Sequence, residues 1–324
     1  MTTHAWVVGG RGLLGSAVTR AVRERSGWTL AASDPLPWGD AGELALAAED
    51  TALALFDALD EGDDWCLLWC AGRAVTSSSD ADLDEELDQF ASVLAGLQLA
   101  LEARPHDRPG SLFYASSAGG VYGGAVGRPP FDETTPPRPL SGYGRFKLDA
   151  ERIATAFAER LGLSSVNGRI ANLYGPGQSL DKMQGLISHL ARAQLSPAPA
   201  SVYVSLDTLR DYIYVDDCAD LVLDCVARSL HGAGLGTPTA VTKNLISGQG
   251  VTIAALIAQL KTISKRNANV MLGSSAAAAL QAHDLRLASV VWPDLDARDL
   301  TPLAVGMHNT LDEMRGLMQR GGGS

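Results

Sequence analysis

The 324 residues are 46% hydrophobic and 19% charged, a composition that suits one large or two modest domains with a substantial core. The formal net charge is −11, and no run of Lys or Arg could supply the basic face of a general nucleic-acid binder. No apolar run is long enough to span a bilayer, and we expect no signal peptide, because residues 1–4 lead directly into an apolar run. We therefore expect a cytoplasmic protein with no nucleic-acid or membrane partner.

Cysteine and histidine usage gives no sign of a metal site. The six histidines are scattered without paired metal spacing. The cysteines lack the second half of a zinc motif, and we expect reduced thiols at Cys66, Cys70, Cys218 and Cys225. The terminal Gly321–Ser324 has the composition of an appended linker and is left out of the fold prediction.

A glycine-rich turn stands between the first predicted strand, Ala5–Val8, and the first predicted helix, Ser16–Val22. Glycines let backbone amides at a helix N-terminus approach a pyrophosphate, which the partial positive charge there favours. The first gap of the glycine spacing is one residue longer than in the usual dinucleotide fingerprint. We predict that this turn binds a dinucleotide cofactor through Gly9, Arg11, Gly12, Leu13, Leu14 and Gly15.

Asp34 follows the second predicted strand, Trp28–Ala32, about 20 residues past the glycines. A carboxylate at this place would bind the adenosine ribose hydroxyls, which favours NAD because a 2′-phosphate would meet a like charge. Arg11 and Ser33 could hold such a phosphate, so NADP stays possible. The alternative role for Asp34 is a turn residue before Pro35.

The pattern then alternates between helices and strands. A helix is predicted over Asp40–Leu59, where we place no third strand, and another over Asp82–Ala103. The continuous apolar run Trp65–Cys70 is typical of a strand buried on both faces. Ala71 follows it at the carboxyl edge, where ligands bind in such sheets, and is predicted to contact the cofactor. This alternation predicts an α/β fold with a doubly wound parallel sheet.

Tyr143 and Lys147 are four residues apart in a predicted helix, so they share one face. A nearby lysine cation favours the phenolate and lowers the tyrosine pKa, which makes the pair a plausible acid/base unit. The same spacing also occurs on many solvated helices. The strand Leu112–Ala115 ends at Ser116 and Ser117, whose hydroxyls would face the ligand crevice or cap local backbone groups.

The second half of the chain is less regular. Strands are predicted over Ser165–Ile170 and Asp211–Val215, with a Gly- and Pro-containing break from Ala171 to Gly177. Helices are predicted over Asp216–Arg228, Val251–Ile263 and Met307–Met318, and a helix end near Ala276–Ala279.

Several separated segments together resemble the extended short-chain dehydrogenase/reductases, in the branch of nucleotide-sugar epimerases and dehydratases. The segments are Gly9–Gly15, Ser116-Ser117 with Val121-Tyr122-Gly123, Tyr143 with Lys147, Arg169–Gln178 and Arg210–Asp217, with weaker echoes at Asn244–Gly248 and Thr301–Leu303. The resemblance implies a Rossmann sheet with a smaller, mostly C-terminal α/β substrate domain. We expect the dinucleotide-binding domain at 1–175, with 211–238 returning to it, and the substrate domain at 176–210 and 239–320.

The resemblance also implies roles for individual residues. Tyr143 would be the acid/base, Lys147 would hold the nicotinamide ribose, and Ser117 or Ser116 would bind the reacting hydroxyl. On the substrate side, the resemblance implies contacts from Asn172, Arg210 and Tyr122, with Arg210 as a bidentate clamp for the diphosphate. The alternative for Arg210 is a surface salt bridge with Asp207 or Asp211. A homodimer through helices 82–103 and 141–160 is implied as well.

Two departures from the family pattern bear on the activity. The usual hydroxyl position falls on Ala118, so Ser117 or Ser116 requires one extra residue in the loop. The 4,6-dehydratases carry an acidic pair where this chain has Gly119 and Gly120. Dehydration needs both an acid and a base, so a dehydratase is less favoured.

The prediction is an NAD-dependent epimerase of a nucleoside-diphosphate sugar, acting at C4 through a keto intermediate. The first alternative is an NAD(P)H-dependent reductase of a keto-sugar nucleotide. A catalytically silent dinucleotide-binding sensor is disfavoured, because such a protein would not need Tyr143, Lys147 and a serine. The sequence does not name the nucleobase, the sugar or the stereocentre.

Overall fold

In a computed structural model, the described residues are 1–178, 185–231, 237–267, 269–273 and 282–321. The predicted helix end at Ala276–Ala279 lies outside them.

The first half of the chain builds strands and helices in alternation. In order they are β1 (Thr3–Val8), α1 (Leu13–Glu24), β2 (Trp28–Leu30), α2 (Ala41–Asp57), β3 (Asp64–Trp69), α3 (Asp80–Ala103), β4 (Gly110–Ser117), the short α4 (Ala118–Tyr122), α5 (Gly142–Leu161) and β5 (Ser164–Ile170). The second half continues with β6 (Asn172–Tyr174), α6 (Leu186–Leu195), β7 (Ala200–Val202), β8 (Leu209–Tyr214), α7 (Val215–His231), β9 (Ala240–Leu245), β10 (Gly250–Thr252), α8 (Ile253–Ser264), β11 (Val270–Leu272), β12 (Asp284–Leu285) and α9 (Leu303–Gly321).

Six parallel strands form the main sheet in the order β2-β1-β3-β4-β5-β9. The side chains of β3 alternate between two hydrophobic cores, because successive strand residues point to opposite faces. Trp65, Leu67 and Trp69 join a core with α2, α3 and α5, whereas Cys66 and Leu68 join a core with α1 and α7. The prediction of a doubly wound parallel sheet is therefore confirmed.

A smaller unit has its own core. Short strands β10, β8, β12 and β6 form a second sheet, and side chains from α6, α8 and α9 pack against it, including Leu190, Leu256 and Leu311. The expected smaller α/β unit is therefore present.

Two of the expected domain boundaries are wrong. The return to the main sheet begins with α7 at Val215 rather than at residue 211, because β8 pairs with the second sheet. Strand β9, expected in the substrate domain, pairs with β5 as the last strand of the main sheet. The break predicted from Ala171 to Gly177 contains β6, which pairs in parallel with β8.

Candidate active site

The glycine turn joins β1 to α1 and lies against the loop after β3. Gly9 has a φ of +87°, and a Cβ there would stand 2.5 Å from the backbone nitrogen of Ala71. A Cβ at Gly15 would stand 2.1 Å from the Gly9 carbonyl oxygen. Both positions need glycine, because a side chain would overlap backbone atoms. Gly12 is the N-cap of α1 and no side chain caps that helix, so its first amides can serve an anion such as a pyrophosphate.

The remaining residues predicted to bind the cofactor surround this turn. Leu13 and Leu14 open α1, and the Leu14 side chain is buried in the core, so only its backbone can face a ligand. Arg11 is exposed on the turn, and Asp34 is exposed beyond the end of β2. Their exposure is compatible with contacts to a ribose or to a 2′-phosphate.

Lys147 is buried where α5 crosses β4. Its Nζ donates to the Tyr114 hydroxyl at 3.2 Å and to the Ala115 carbonyl oxygen at 3.1 Å. Burial lowers the pKa of Lys147 to about 8, and the negative charges of Glu86 and Glu151 oppose that shift. The Nζ lies 5.7 Å from the centre of the Tyr143 ring. The predicted pairing of these two side chains on one helix face is therefore present.

The expectation of a lowered tyrosine pKa is wrong for the protein without ligands. Burial raises the pKa of Tyr143 to about 12, and a hydrogen bond with Ser117 opposes the shift only in part. Desolvation is the largest cause of the shift, and the ammonium group of Lys147 donates to Tyr114 and Ala115. Tyr143 is therefore held as a neutral phenol, the form that can donate a proton.

The two candidate serines have different partners. Ser117 is the last residue of β4 and the N-cap of α4, and its hydroxyl accepts from the Gly120 amide at 3.2 Å. Ser117 is also the serine that interacts with Tyr143 and lowers its pKa. Ser116 is buried and donates to the carboxylate of Glu151. Of the two predicted serines, only Ser117 acts on the pKa of the candidate acid/base.

A buried polar network lies behind these residues. The Glu151 carboxylate pairs with the Arg169 guanidinium at 2.7 Å, and Arg169 donates to the Tyr122 hydroxyl at 2.8 Å. The Tyr122 hydroxyl donates onward to Asn244 at 3.2 Å. Tyr122 is completely buried, and its hydroxyl is satisfied from both sides. The predicted contact of Tyr122 with a substrate does not fit this arrangement; the residue instead supports the wall that carries Ser116.

Gly119 and Gly120 belong to α4, which packs against the start of α5. A Cβ at Gly120 would stand 3.1 Å from the Tyr143 ring, and a Cβ at Gly144 would stand 2.2 Å from the Gly120 carbonyl oxygen. Glycine at these places lets the two helices approach closely enough to seat Tyr143. No carboxylate of the dehydratase type occupies this stretch.

Asn172 and Arg210 lie in the second sheet. Asn172 is exposed and its Nδ2 donates to the Asp211 carbonyl oxygen at 2.8 Å. Arg210 donates to the Leu209 carbonyl oxygen at 2.8 Å and forms no ion pair within the described ranges. The alternative salt bridges are absent there, because Asp207 pairs with His283 and Asp211 accepts from Ser247.

Glu86 was missed by sequence reasoning. It lies in the acidic stretch that opens α3, but the residue is only 9% exposed. Its carboxylate accepts from the backbone amides of Arg73 at 2.7 Å and Ala74 at 2.8 Å. The signal that could have found it is periodicity, since Glu86 falls between Leu83 and Phe90 on the apolar stripe of the helix.

In the described part of the chain, no group of three or more His, Cys, Asp or Glu side chains is arranged to hold a metal ion. Nor does any helix there have the length and apolar character needed to cross a membrane.

Residues 5–233 match the model of the NAD dependent epimerase/dehydratase family. The chain belongs to this family. It is 29% identical over 162 residues to dTDP-4-dehydro-6-deoxyglucose reductase of Escherichia coli, covering 50% of this chain and 48% of that protein. It is 32% identical over 149 residues to dTDP-L-rhamnose 4-epimerase of Burkholderia thailandensis, covering 44% and 37%. The matched segments thus span about half or less of these curated relatives.

Solved structures of family members resemble nearly the whole chain. UDP-glucose 4-epimerase of Thermotoga maritima, solved with UDP-glucose, superposes with a TM-score of 0.75 at 21% identity, covering 98% of this chain and all of that one. MoeE5, solved with UDP-glucose and NAD, superposes with a TM-score of 0.74 at 25% identity, with the same coverage. The Rossmann-type sheet and its C-terminal unit therefore have the same fold as these two structures.

Proposed function

We propose that the chain is an NAD-dependent epimerase of a nucleoside-diphosphate sugar, acting at C4 of a hexose through a keto intermediate. The observation that carries the proposal is the meeting of Ser117, Tyr143 and Lys147 at the carboxyl end of β4. The relatives named above include a 4-epimerase, and MoeE5 binds UDP-glucose and NAD.

The glycine turn supports the cofactor assignment. Gly9, Gly12 and Gly15 leave backbone amides uncovered at the start of α1, which fits a pyrophosphate. Bound NAD supplies the acceptor and donor for hydride. The carboxylate of Asp34 favours NAD, whereas the exposed guanidinium of Arg11 keeps NADP open, and one structural relative, RMD of Pseudomonas aeruginosa, was solved with NADPH.

The proposed chemistry of the chain itself is proton transfer and orientation. Ser117 and Tyr143 would hydrogen-bond the C4 hydroxyl of the sugar. Tyr143 is a neutral phenol in the ligand-free chain, so it would first have to lose its own proton. As the phenolate it would then accept the hydroxyl proton as the carbonyl forms, and it would return that proton after the sugar presents its other face. The ammonium group of Lys147 would favour the phenolate during the first half of this cycle. Arg210 and Asn172 would hold the diphosphate of the substrate.

The second candidate is a reductase of a keto-sugar nucleotide that uses free NADPH. The exposed Arg11 and the reductase relative favour it. A dehydratase is disfavoured because Gly119 and Gly120 replace the acidic pair.

The cellular setting is also part of the proposal. We place the protein in the cytoplasm as a homodimer joined through α3 and α5, with neither nucleic acid nor membrane as a partner. The net charge of −11 supports the absence of nucleic acid. Sedimentation of the purified chain would test the dimer, and a monomer at micromolar concentration would contradict it.

The cofactor is tested by heat release from freshly purified protein followed by mass analysis. Near-stoichiometric NAD(H) is expected for a self-recycling epimerase, and incubation with a panel of nucleotide sugars should then yield an isomer of equal mass. An empty site that takes up NADPH only when it is added would favour the reductase.

The acid/base is tested by Tyr143→Phe, with Tyr203→Phe at an exposed tyrosine as the matched control. Loss of proton transfer should lower kcat by about 10²- to 10⁴-fold, while cofactor affinity stays close to that of the unaltered chain. Turnover that survives Tyr143→Phe unchanged would rule out the mechanism.

A further inference from the structure

A carboxylate that the proposed mechanism does not use lies beside the candidate acid/base pair. It belongs to Glu86, one turn before Phe90 on the buried face of α3. Burying a carboxylate is costly unless it is paired or hydrogen-bonded. The contacts that hold Glu86 in place therefore indicate what it does.

The Glu86 carboxylate is bonded to the loop that follows β3. One oxygen accepts both the Arg73 and Ala74 amides, at 2.7 and 2.8 Å. The other oxygen lies so close to Gly72 that a Cβ there would approach it to 2.9 Å. This loop begins at Ala71, the residue against which the glycine turn packs. Glu86 therefore fixes one wall of the cleft that starts at the carboxyl ends of β1 and β3.

The same side chain acts on the pair itself. The Phe90 ring lies 5.1 Å from the Tyr114 ring, and the Tyr114 hydroxyl accepts from Lys147. The Tyr114 side chain therefore connects α3 to the lysine on the face of the sheet that α3 and α5 share. The negative charge of Glu86 raises the pKa of Lys147 against the effect of burial, and it also raises the pKa of Tyr143.

Other ionisable groups also face Lys147 from the elements packed around it. Tyr114 on β4 and Tyr143 on α5 are phenols with raised pKa values. Glu151, on the same helix as Lys147, is already paired with Arg169 of β5. Glu86 is the carboxylate on α3 that faces Lys147, and it forms no ion pair within the residues that the structure describes.

We infer that Glu86 is a positioning residue for the proposed reaction, which tethers the loop after β3 and sets a fixed negative charge beside Tyr143 and Lys147. The inference deepens the proposed function and rests on it for its catalytic meaning. Without that charge, Lys147 would release its proton more easily and Tyr143 would ionise more easily. Both pKa values would fall together.

The test is Glu86→Gln, which keeps an oxygen for the loop amides but removes the charge. The control is Glu85→Gln, the same change at the neighbouring, exposed position of α3. Titration of the five lysine Nζ groups by ¹⁵N NMR, without substrate or cofactor, should place the Lys147 pKa about one unit lower in Glu86→Gln than in the control. If Lys147 titrates alike in the two variants, the inference is overturned.

The pH profile of turnover gives a second readout. Both limbs of the profile should move to lower pH in Glu86→Gln, because both groups titrate earlier, whereas a purely structural role would lower the rate without moving the limbs. If the Lys147 pKa moves but no nucleotide sugar is epimerised by any variant, the proposed function fails and the placement of Glu86 stands.

Glu86→Asp is the second variant, for the case in which Glu86→Gln does not fold. It keeps the charge and shortens the tether by one methylene, so the Lys147 pKa should stay near its original value while NAD affinity falls. A Lys147 pKa in Glu86→Asp about one unit below that of Glu85→Gln would overturn the electrostatic role.

Discussion

At the scale of single residues, the two serines at the end of β4 have separate roles. Ser117 interacts with Tyr143 and lowers its pKa, whereas Ser116 donates to the buried Glu151. We expect Ser117→Ala to lower kcat by about tenfold to a hundredfold, because the reacting hydroxyl would lose one of its two partners. Ser116→Ala should leave kcat nearly unchanged and lower the free energy of unfolding by about 1–2 kcal/mol, because the buried carboxylate would lose a donor.

Steady-state kinetics and urea unfolding of both variants test this assignment. A loss of turnover in Ser116→Ala with full activity in Ser117→Ala would reverse the roles of the two serines.

Single residues also differ in how well the sequence alone predicts their contacts. Tyr143 and Lys147 could be paired in advance, because helical spacing alone puts them on one face. Tyr122 could not be placed, because the partners of its buried hydroxyl, Arg169 and Asn244, are distant in sequence. The Tyr143 pKa could not be predicted either, because it depends on how far the folded chain removes the side chain from water.

At the scale of elements, the close contact between the glycine turn and α1 makes a steric prediction. Gly15→Ala would push a Cβ to 2.1 Å from the Gly9 carbonyl oxygen, which backbone atoms cannot relieve cheaply. We expect the free energy of unfolding to fall by about 1–3 kcal/mol, as for overpacked cores, and NAD affinity to fall with it.

Gly39→Ala is the control, because a Cβ there meets nothing within 4 Å. Thermal unfolding without cofactor, followed by a cofactor titration, separates the effect on stability from that on binding. A Gly15→Ala chain as stable as Gly39→Ala would show that the turn shifts freely.

Elements differ in how well local patterns predict them. The buried strand β3 was predicted from its unbroken apolar run, which both faces of the sheet require. The three-residue β6 was missed, because it precedes Gly175 and Pro176 and is defined by pairing with β8. Short strands carry too few residues to show a period, so only their partners identify them.

At the scale of the whole molecule, the chain passes between the main sheet and the second sheet more than once. Strand β5 and helix α7 serve the main sheet, whereas β6 and β8 serve the second. Strand β9 then returns to the main sheet before β10 leaves it. The expected boundaries included one return to the main sheet, at 211–238, but not the second return by β9, because the hydrophobic pattern of a strand does not say which sheet it joins.

A buried ion pair ties the C-terminal segment to the edge of the main sheet. Lys243 of β9 is fully buried, and its Nζ donates to Asp296 at 2.8 Å, to the Ser289 hydroxyl at 2.7 Å and to the Val291 carbonyl oxygen at 2.7 Å. Glu133 reinforces the attachment by accepting from Ser289 at 2.8 Å. Residues 289–296 are thereby fixed to a strand that lies about 50 positions earlier in the chain.

Replacing Lys243 should therefore weaken the attachment of residues 289–296 to β9. Lys243→Met fills much of the same volume but leaves Asp296 without its cation, which we expect to cost on the order of 3 kcal/mol of unfolding free energy. The matched control is Lys261→Met on the exposed surface of α8, where a change within about 0.5 kcal/mol is expected. Urea unfolding of both variants gives the comparison. Adding Asp296→Leu to Lys243→Met should recover part of the lost stability, since no uncompensated charge then remains. Equal stability of Lys243→Met and Lys261→Met would show that the ion pair does not hold residues 289–296 in place.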